Sequence, residues 1–260
     1  MATYLDDILA VHRARAAADG RDIGRVAEQA RRASPVRDFA AALRRTDGIA
    51  VIAEIKRRSP SKGPLAPDLV PGVLAKRYAA GGAAALSVLT DEDHFGGSAA
   101  DLVEARSSVE VPVLRKDFTV SALDVADARF MGADAVLLIV AALADDELRD
   151  LHALGTDLGL AVLVEAHDEP EVERALAAGA RIVGVNQRDL VTFEVDTDRA
   201  VRVASAIPDG VLKVAESGIR DADDAKRLAD AGYDAVLVGE HLVTSGDPER
   251  AVQELVAACS

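Results

Sequence analysis

A carboxylate and an ammonium group leave the first strongly apolar segment of this chain close together. Glu54 and Lys56 follow the run Ile49-Ala50-Val51-Ile52, and a loop rich in Ser, Pro and Gly begins directly after them. Residues two apart on a strand point to the same side, so both charges face one space. Buried opposite charges are costly unless they are paired or used in chemistry. The pattern predicts the rim of an active site that takes an anionic ligand.

Comparable side chains stand at the ends of four more apolar segments: Lys116, Glu165, Asn186 and Glu216. One charged residue at such a place is most often a solvated loop residue, but five such ends in one chain favour a common site. Lysines beside carboxylates have displaced pKa values, which suits them to work as general acids. The carboxylates can serve as bases or stabilise a cationic intermediate. The residues therefore predict acid–base chemistry.

Two glycine turns near the C-terminus indicate a second feature. Ser217-Gly218 follows the seventh apolar segment and Gly239-Glu240 follows the eighth. Glycine lets the backbone approach a ligand closely, and backbone N–H groups at such turns bind phosphate in many barrels. The pattern predicts a phosphate site, with simple tight turns as the alternative. Phe95 lies in another glycine-containing loop, where it either packs beneath the loop or contacts an aromatic substrate.

Eight apolar segments must position these side chains. Each is followed by a polar or glycine-containing loop and an Ala-rich helical stretch, and near copies of one helix-to-strand turn recur, as in Met131-Gly132-Ala133-Asp134. Eight such strand–helix units of roughly 20–35 residues predict an α/β fold, the TIM (β/α)8 barrel. The segments are Ile49–Ile55, Ala83–Leu89, Val111–Leu114, Ala133–Val140, Leu158–Val164, Arg181–Val185, Val211–Ala215 and Tyr233–Val238.

The first 47 residues show helical patterns and no strand. Thr3 is placed to cap a first helix, and Ser34-Pro35 predicts the start of a later one. No linker divides the chain after residue 48. We therefore expect a single domain over residues 1–260, with a helical extension over 1–47 and a barrel over 48–260.

Composition limits both the core and the partners. Half of the 260 residues are hydrophobic but only 3% are aromatic, with no Trp, so the core must be built from Val, Leu, Ile and Ala. The net charge of −14 opposes nucleic acid and anionic membrane surfaces as partners. It permits a small anionic substrate, because a few cations in a cleft override the global field locally.

Cofactor and targeting signals are missing from the sequence. The only cysteine is Cys259, so neither a disulfide framework nor a zinc cluster is expected. The histidines and carboxylates show no metal-ligand spacing, and no glycine-rich dinucleotide fingerprint follows the first strand. With no signal segment and no long apolar run, we expect a cytoplasmic protein without metal or cofactor.

The segment Ala53–Gly63 resembles the signature of the indole-3-glycerol phosphate synthase family. The resemblance continues in order over about residues 49 to 245, and the helical extension fits it as well. The further matching segments are Ser87–Asp91 with Phe95–Ser98, Leu114–Phe118, Leu163–Glu165, Gly184–Leu190, Ala215–Ile219 and Val238–Glu240. The resemblance implies a carboxy-lyase of tryptophan biosynthesis that needs no cofactor. Such an enzyme closes the indole ring of 1-(2-carboxyphenylamino)-1-deoxyribulose 5-phosphate with loss of CO2 and water.

The resemblance also implies roles for the strand-end residues. Lys116 is expected to be the general acid of ring closure. Glu165 and Glu54 share the later acid–base steps, and Lys56 holds an anionic end of the substrate and takes part in dehydration; which group performs each proton transfer stays open. Asn186 and Glu216 are expected to position the substrate hydroxyls and the lysines.

The expected substrate contacts fall into two groups. Ser59, Phe95 and Arg188 would contact the anthranilate portion, and the phosphate would be held by Ser217, Gly218, Gly239 and Glu240. Many relatives place a serine where this chain has Glu240. A carboxylate turned inward there would repel phosphate, so we expect only a backbone role at that position.

Two alternatives remain at this stage. A related phosphosugar isomerase barrel, such as phosphoribosylanthranilate isomerase, relies on a cysteine near strand one, whereas the only cysteine here is Cys259. A non-catalytic phosphosugar-binding barrel should have lost strand-end groups, yet Lys56, Lys116 and Glu165 are all present. We expect a small phosphorylated substrate as the partner and a monomer or weak homo-oligomer.

Overall fold

Eight parallel strands close into a barrel in the computed structural model, which describes residues 3–44, 48–189 and 191–258. Each strand pairs with the next along the chain, and the eighth pairs with the first through Ala235 opposite Ala50. The predicted TIM barrel is confirmed. The strands are β1 Ala50–Ile55, β2 Ala85–Leu89, β3 Val113–Lys116, β4 Ala135–Ile139, β5 Ala161–Ala166, β6 Ile182–Asn186, β7 Leu212–Glu216 and β8 Ala235–Val238.

Among the described residues, three helices precede the first strand and the others follow the strands around the barrel. Within the described ranges, no helix is both long and apolar enough to cross a membrane. Cys259 and Leu190 lie outside the described residues. The helices are α1 Tyr4–Ala18, α2 Ile23–Arg31, α3 Phe39–Leu43, α4 Pro71–Ala80, α5 Glu92–Phe95, α6 Ala99–Ser107, α7 Ala122–Phe130, α8 Asp145–Asp157, α9 Glu169–Ala177, α10 Arg199–Val203, α11 Ala222–Asp230, α12 Glu240–Thr244 and α13 Pro248–Ala257.

Most strands begin later than the apolar runs suggested, and several extend further. β3, β6 and β7 include their polar ends, at Lys116, Asn186 and Glu216, and β5 continues past Glu165. The ladder runs on through these residues, with Asn186 opposite Glu216 and Glu165 opposite Gly184. The polar side chains find partners inside the barrel, so the strands need not end where the apolar run ends.

The core contains the aliphatic residues that composition predicted. All six residues of β1 are buried, and among the described side chains that are less than 2% exposed, the aromatic ones are Tyr78 and Phe39. Burial of each large aliphatic side chain contributes about 1.5–3 kcal/mol. The barrel therefore owes its stability to many small aliphatic contacts.

The recurring helix-to-strand turn has a structural purpose. Gly132 adopts φ 83°, a left-handed conformation that ends α7 without strain. Two residues later, the buried carboxylate of Asp134 accepts a hydrogen bond from the backbone N–H of Val113 at 2.9 Å. Asp234 repeats this contact with the backbone N–H of Lys213 at 2.8 Å. Each turn thus ties the start of one strand to its neighbour.

The helical extension differs from the prediction at one point. Thr3 caps α1 as expected, within a reciprocal capping box. The predicted helix start at Ser34-Pro35 is wrong, because α3 begins after Asp38, whose carboxylate accepts from the backbone N–H of Ala41 at 2.8 Å. The carbonyl of Ser34 instead accepts a hydrogen bond from Arg129 at 2.7 Å, which holds this segment extended against the barrel.

Candidate active site

A cavity of about 720 Å³ opens at the carboxyl ends of the barrel strands. Its size suits a small-molecule substrate. All the strand-end residues singled out above line it, as do all the expected substrate contacts. These residues are Glu54, Lys56, Ser59, Phe95, Lys116, Glu165, Asn186, Arg188, Glu216, Ser217, Gly218, Gly239 and Glu240.

Lys116 is the centre of the buried ring. Its Nζ lies 2.7 Å from Oε2 of Glu165 and 3.1 Å from Oε2 of Glu216. The two carboxylates come from β5 and β7, so one ammonium group links three strands. Asn186 on β6 donates its Nδ2 hydrogen to Oε1 of Glu165 at 3.1 Å and thereby fixes the second oxygen of that carboxylate.

The charges of this ring determine which groups carry protons. Burial by itself lowers the pKa of Lys116, but the negative charges of Glu165, Glu216 and Glu54 outweigh it and raise that pKa. Burial raises the pKa of Glu165, but the charge of Lys116 lowers it overall. Burial, opposed by Lys116 and reinforced by Glu165, raises the pKa of Glu216 to about 8. At neutral pH the ring therefore holds an ammonium, a carboxylate and a carboxylic acid.

A second lysine–carboxylate pair stands on β1 and just beyond it. The Nζ of Lys56 lies 2.6 Å from Oε1 of Glu54, and Glu54 is buried while Lys56 is partly exposed. Gly239 makes room for this pair, since a Cβ atom there would collide with Glu54 Oε1 and lie 3.0 Å from Lys56 Nζ. The missing side chain at Gly239 thus leaves space for the Glu54–Lys56 pair.

The turn after β7 adopts an unusual backbone conformation. Ser217 and Gly218 both have positive φ, at 66° and 73°, which is rare for a serine and marks local strain. The side chain of Gln187 donates to the carbonyl of Ser217 at 2.8 Å and holds the turn in place. Strain maintained in this way is typical of functional turns.

The loop after β1 forms a small hairpin over the mouth of the cavity. Arg58–Ser59 pairs with Gly63–Pro64, and Ser59 lines the cavity. The neighbouring arginines serve as anchors: Arg57 forms an ion pair with Asp101, and Arg58 donates to the carbonyl of His94 at 2.9 Å. Of these three consecutive cations, Lys56 is the one that lines the cavity, where it pairs with Glu54.

Several cavity residues were missed by sequence reasoning. Phe118 lies 6.3 Å from Phe95 between ring centroids, and both line the cavity. The sequence could have identified Phe118, because it follows Lys116 by two residues, the spacing that places side chains on the same side of a strand. Tyr4 and Ile8 of α1 also line the cavity, so the apolar face of the first helix covers the mouth. Their signal was the helical spacing of a few apolar residues in the first segment, which indicates burial but not where the helix packs.

The side chain of Glu240 is engaged at the mouth of the cavity. Its carboxylate lies 3.6 Å from Nζ of Lys62 and 3.8 Å from Nη2 of Arg188. Two cations partly offset its charge, and the expected backbone role at this position stays a prediction. Glu240 thus joins the hairpin after β1 to the loop after β6.

A histidine and two aspartates meet where α1 reaches the barrel, although their sequence spacing gave no sign of it. Potential ligand atoms of His12, Asp91 and Asp117 lie within 4.8 Å of one another. These atoms are already engaged: His12 Nε2 is 2.9 Å from Asp91, and Asp117 accepts from Arg115 at 2.7 Å. We assign the cluster to the docking of α1.

A closed parallel barrel with paired lysines and carboxylates at its carboxyl end defines the class: a TIM-barrel enzyme that performs acid–base chemistry. The family model described as Indole-3-glycerol phosphate synthase matches residues 5–255. An indole-3-glycerol phosphate synthase of Nocardioides sp. is 58% identical over 211 residues, 81% of each chain. One of Mycolicibacterium vanbaalenii is 51% identical over 259 residues, 99% of this chain and 95% of its own.

The chain belongs to the indole-3-glycerol phosphate synthase family, and with it to the carboxy-lyases of tryptophan biosynthesis. Solved structures agree on the fold alone. A 3-hexulose-6-phosphate synthase aligns with a TM-score of 0.65 at 16% identity, covering 82% of this chain and all of its own. A thiamine phosphate pyrophosphorylase from Pyrococcus furiosus aligns with a TM-score of 0.61 at 16% identity, covering 81% of this chain and 94% of its own.

Proposed function

We propose that this chain converts 1-(2-carboxyphenylamino)-1-deoxyribulose 5-phosphate to indole-3-glycerol phosphate, with Lys116 as the general acid of ring closure. The observation that carries the proposal is the position of the Lys116 ammonium between Glu165 and Glu216 inside the cavity. A general acid must hold its proton until the ketone oxygen develops charge. The raised pKa of Lys116, which the surrounding carboxylates cause despite burial, keeps this group protonated at neutral pH, so it enters the reaction with a proton to donate.

The later steps fall to the other charged groups. Loss of CO2 follows a cationic iminium intermediate, which the Glu165 carboxylate is placed to stabilise. Dehydration then needs an acid for the departing hydroxyl and a base for the carbon-bound proton. The Glu54–Lys56 pair and Glu165 supply both kinds of group within one cavity. Asn186 and Glu216 position Glu165 and Lys116 through the hydrogen bonds described above.

The two ends of the substrate need different surroundings. We assign the phosphate to the backbone turns at Ser217-Gly218 and Gly239, with the side chain of Glu240 directed to Lys62 and Arg188. The anthranilate ring is assigned to the aromatic side, where Phe95 and Phe118 lie. Ser59 and Arg188 are assigned to the anthranilate carboxylate. Cations and backbone N–H groups thus meet both anionic ends.

Domain organisation, localisation, oligomeric state and cofactor use follow from the same proposal. We propose that residues 1–260 act as one domain, in the cytoplasm, as a monomer or weak homo-oligomer without metal or cofactor. The contact of α1 with the mouth of the cavity supports a single functional unit, since Tyr4 and Ile8 complete its lining. The net charge of −14 supports a small anionic substrate rather than nucleic acid.

A direct assay tests the proposal. Purified protein mixed with the carboxyphenylamino-deoxyribulose phosphate should generate indole absorbance and fluorescence without added metal or cofactor. Lys116→Ala should abolish turnover while circular dichroism shows an intact fold. Lys226→Ala, which removes a surface lysine paired with Asp230, is the matched control and should retain full turnover. Folded wild-type protein that produces no indole would contradict the assignment.

A further inference from the structure

One titratable neighbour of the buried ring has no role in the steps above. His167 stands two residues after Glu165, in the loop between β5 and α9. Its Nε2 atom is buried without a hydrogen-bond partner in the described part of the chain, and it lies 3.9 Å from Oε1 of Glu165. On the other side of the ring, Nδ1 lies 3.0 Å from Oε2 of Glu171. The imidazole therefore stands between two carboxylates.

The contacts of His167 favour the imidazolium form. An ionised carboxylate only accepts hydrogen bonds, so the contact with Glu171 places a hydrogen on Nδ1. A neutral ring would then direct a bare Nε2 lone pair toward the Glu165 carboxylate, whereas an imidazolium directs an N–H group there. Burial by itself lowers the pKa of His167. The hydrogen bond to Glu171 and the charge of Glu165 raise it overall, against a smaller effect of Arg199 on α10.

The proposed reaction creates a need for such a group, and this step rests on the proposed function. Ring closure takes up one proton at the ketone oxygen. Dehydration takes up a second proton at the departing hydroxyl and releases one proton from carbon. The substrate carboxylate leaves as neutral CO2, so each turnover consumes one proton from solvent. The Glu165 side chain is only 1% exposed, against 14% for Lys116, so a proton that returns to this carboxylate needs a path into the ring.

We propose that His167, oriented by Glu171, is a relay that delivers this proton to Glu165. After Lys116 has given its proton to the substrate, its charge no longer lowers the pKa of Glu165, and the Nε2–H bond breaks as an O–H bond forms at Oε1 of Glu165. Rotation of the neutral ring then brings the buried Nε2 to solvent, where a hydronium ion or buffer acid reprotonates it. The side chains of His167 and Glu171 are 14% and 20% exposed, against 1% for Glu165, so the pair connects solvent to the ring. A small ring rotation or one bridging water closes the 3.9 Å gap, as is usual before substrate binds.

The central test replaces the imidazole with a side chain that cannot titrate. In His167→Gln, kcat should fall at least about tenfold while KM changes less than about twofold. Imidazole added to the buffer should restore kcat in proportion to the imidazolium concentration. His152→Gln removes a histidine on the outer helix α8 and should leave kcat and its buffer dependence as in wild type.

A second variant keeps the histidine and changes its partner. Glu171→Gln removes the negative charge that raises the pKa of His167, so the fall of kcat with rising pH should begin at a lower pH than in wild type. Titration of Glu216 affects both proteins alike and cancels in this comparison. An unchanged kcat in His167→Gln would overturn the relay, as would a loss that imidazole does not restore. Wild-type protein without indole formation would instead contradict the proposed function itself.

Discussion

Gly184 and Glu216 compete for one volume: a Cβ atom on Gly184 would collide with Oε1 of Glu216. Gly184 lies on β6 and Glu216 on the adjacent β7, within the same interior layer as Lys116. The missing side chain therefore permits Glu216 to reach Lys116. The buried ring around Lys116 thus depends on a residue that contributes no side chain to it.

The first prediction concerns this glycine. Gly184→Ala should push the Glu216 carboxylate away from Lys116, because Leu163 closes off the remaining space at 3.3 Å from the added Cβ. Misplacement of about 1 Å near the chemistry costs up to about 100-fold in rate, so kcat should fall by about 10- to 100-fold. The control is Gly246→Ala, where an added Cβ meets no atom within 4 Å. Equal kcat values for the two variants would contradict the inference that Gly184 leaves the space in which Glu216 reaches Lys116.

The second prediction follows from the raised pKa of Glu216. Burial raises this pKa from 4.5 to about 8, so the folded protein binds an extra proton there between these pH values. The contribution of Glu216 to stability is therefore present at low pH and is lost as pH rises toward 8. Glu216→Gln does not titrate, so its Tm relative to wild type should increase steadily from pH 5 to pH 8. Thermal melts at several pH values measure this, with exposed Glu194→Gln as control; parallel curves would refute it.

The third prediction concerns the cation in the ring. Lys116→Met leaves Glu165 buried without its counter-charge, which should cost about 3–5 kcal/mol of unfolding free energy at neutral pH. In wild type the lowered pKa of Glu165 means that its contribution is lost as pH falls. Without Lys116 burial raises that pKa instead, so the deficit of the variant should be smaller at pH 5 than at pH 8. Urea denaturation at both pH values measures whether the loss of unfolding free energy in Lys116→Met grows with pH. The surface control Lys226→Met should change the unfolding free energy by less than about 0.5 kcal/mol.

The fourth prediction concerns the carboxylate at the mouth. Glu240→Ser removes the ion pairs that hold Lys62 and Arg188, and it removes one negative charge beside the proposed phosphate site. KM for the substrate should fall by about two- to fivefold, as expected for partly exposed ion pairs. Salt should reduce the difference. Exposed Glu173→Ser changes the net charge equally and should not lower KM, whereas an equal effect would point to net charge alone.

The fifth prediction concerns the helix over the cavity. His12→Ala removes the buried contact between α1 and Asp91, so α1 should exchange its amide hydrogens faster and KM should rise. The matched control on the same helix is Arg15→Ala. Its ion pair with Asp93 is more than half exposed on both sides and should contribute less than about 1 kcal/mol. Similar exchange rates for the two variants would show that His12 does not hold the helix.

Much of the site was predictable because strand periodicity is local. Two-residue spacing placed Lys116 and Glu165 on inward-facing positions, and eight apolar segments implied that all such ends meet at one mouth. The boundaries were less predictable. Strands extend to Asn186 and Glu216 because those side chains find hydrogen-bond or ionic partners on other strands of the barrel, which no single segment reveals.

The sequence by itself determined the barrel, its polar interior positions and the two glycine turns, since these depend on short-range patterns of side-chain direction and backbone freedom. Only the tertiary structure decided which charges pair. Barrel closure brings Lys116 against Glu165 and Glu216, and it directs Lys56 inward while Arg57 turns to Asp101. It also sets α1 over the mouth. The pKa values of the ring arise from burial and from distances between strands far apart in sequence, so they exist only once the barrel has closed.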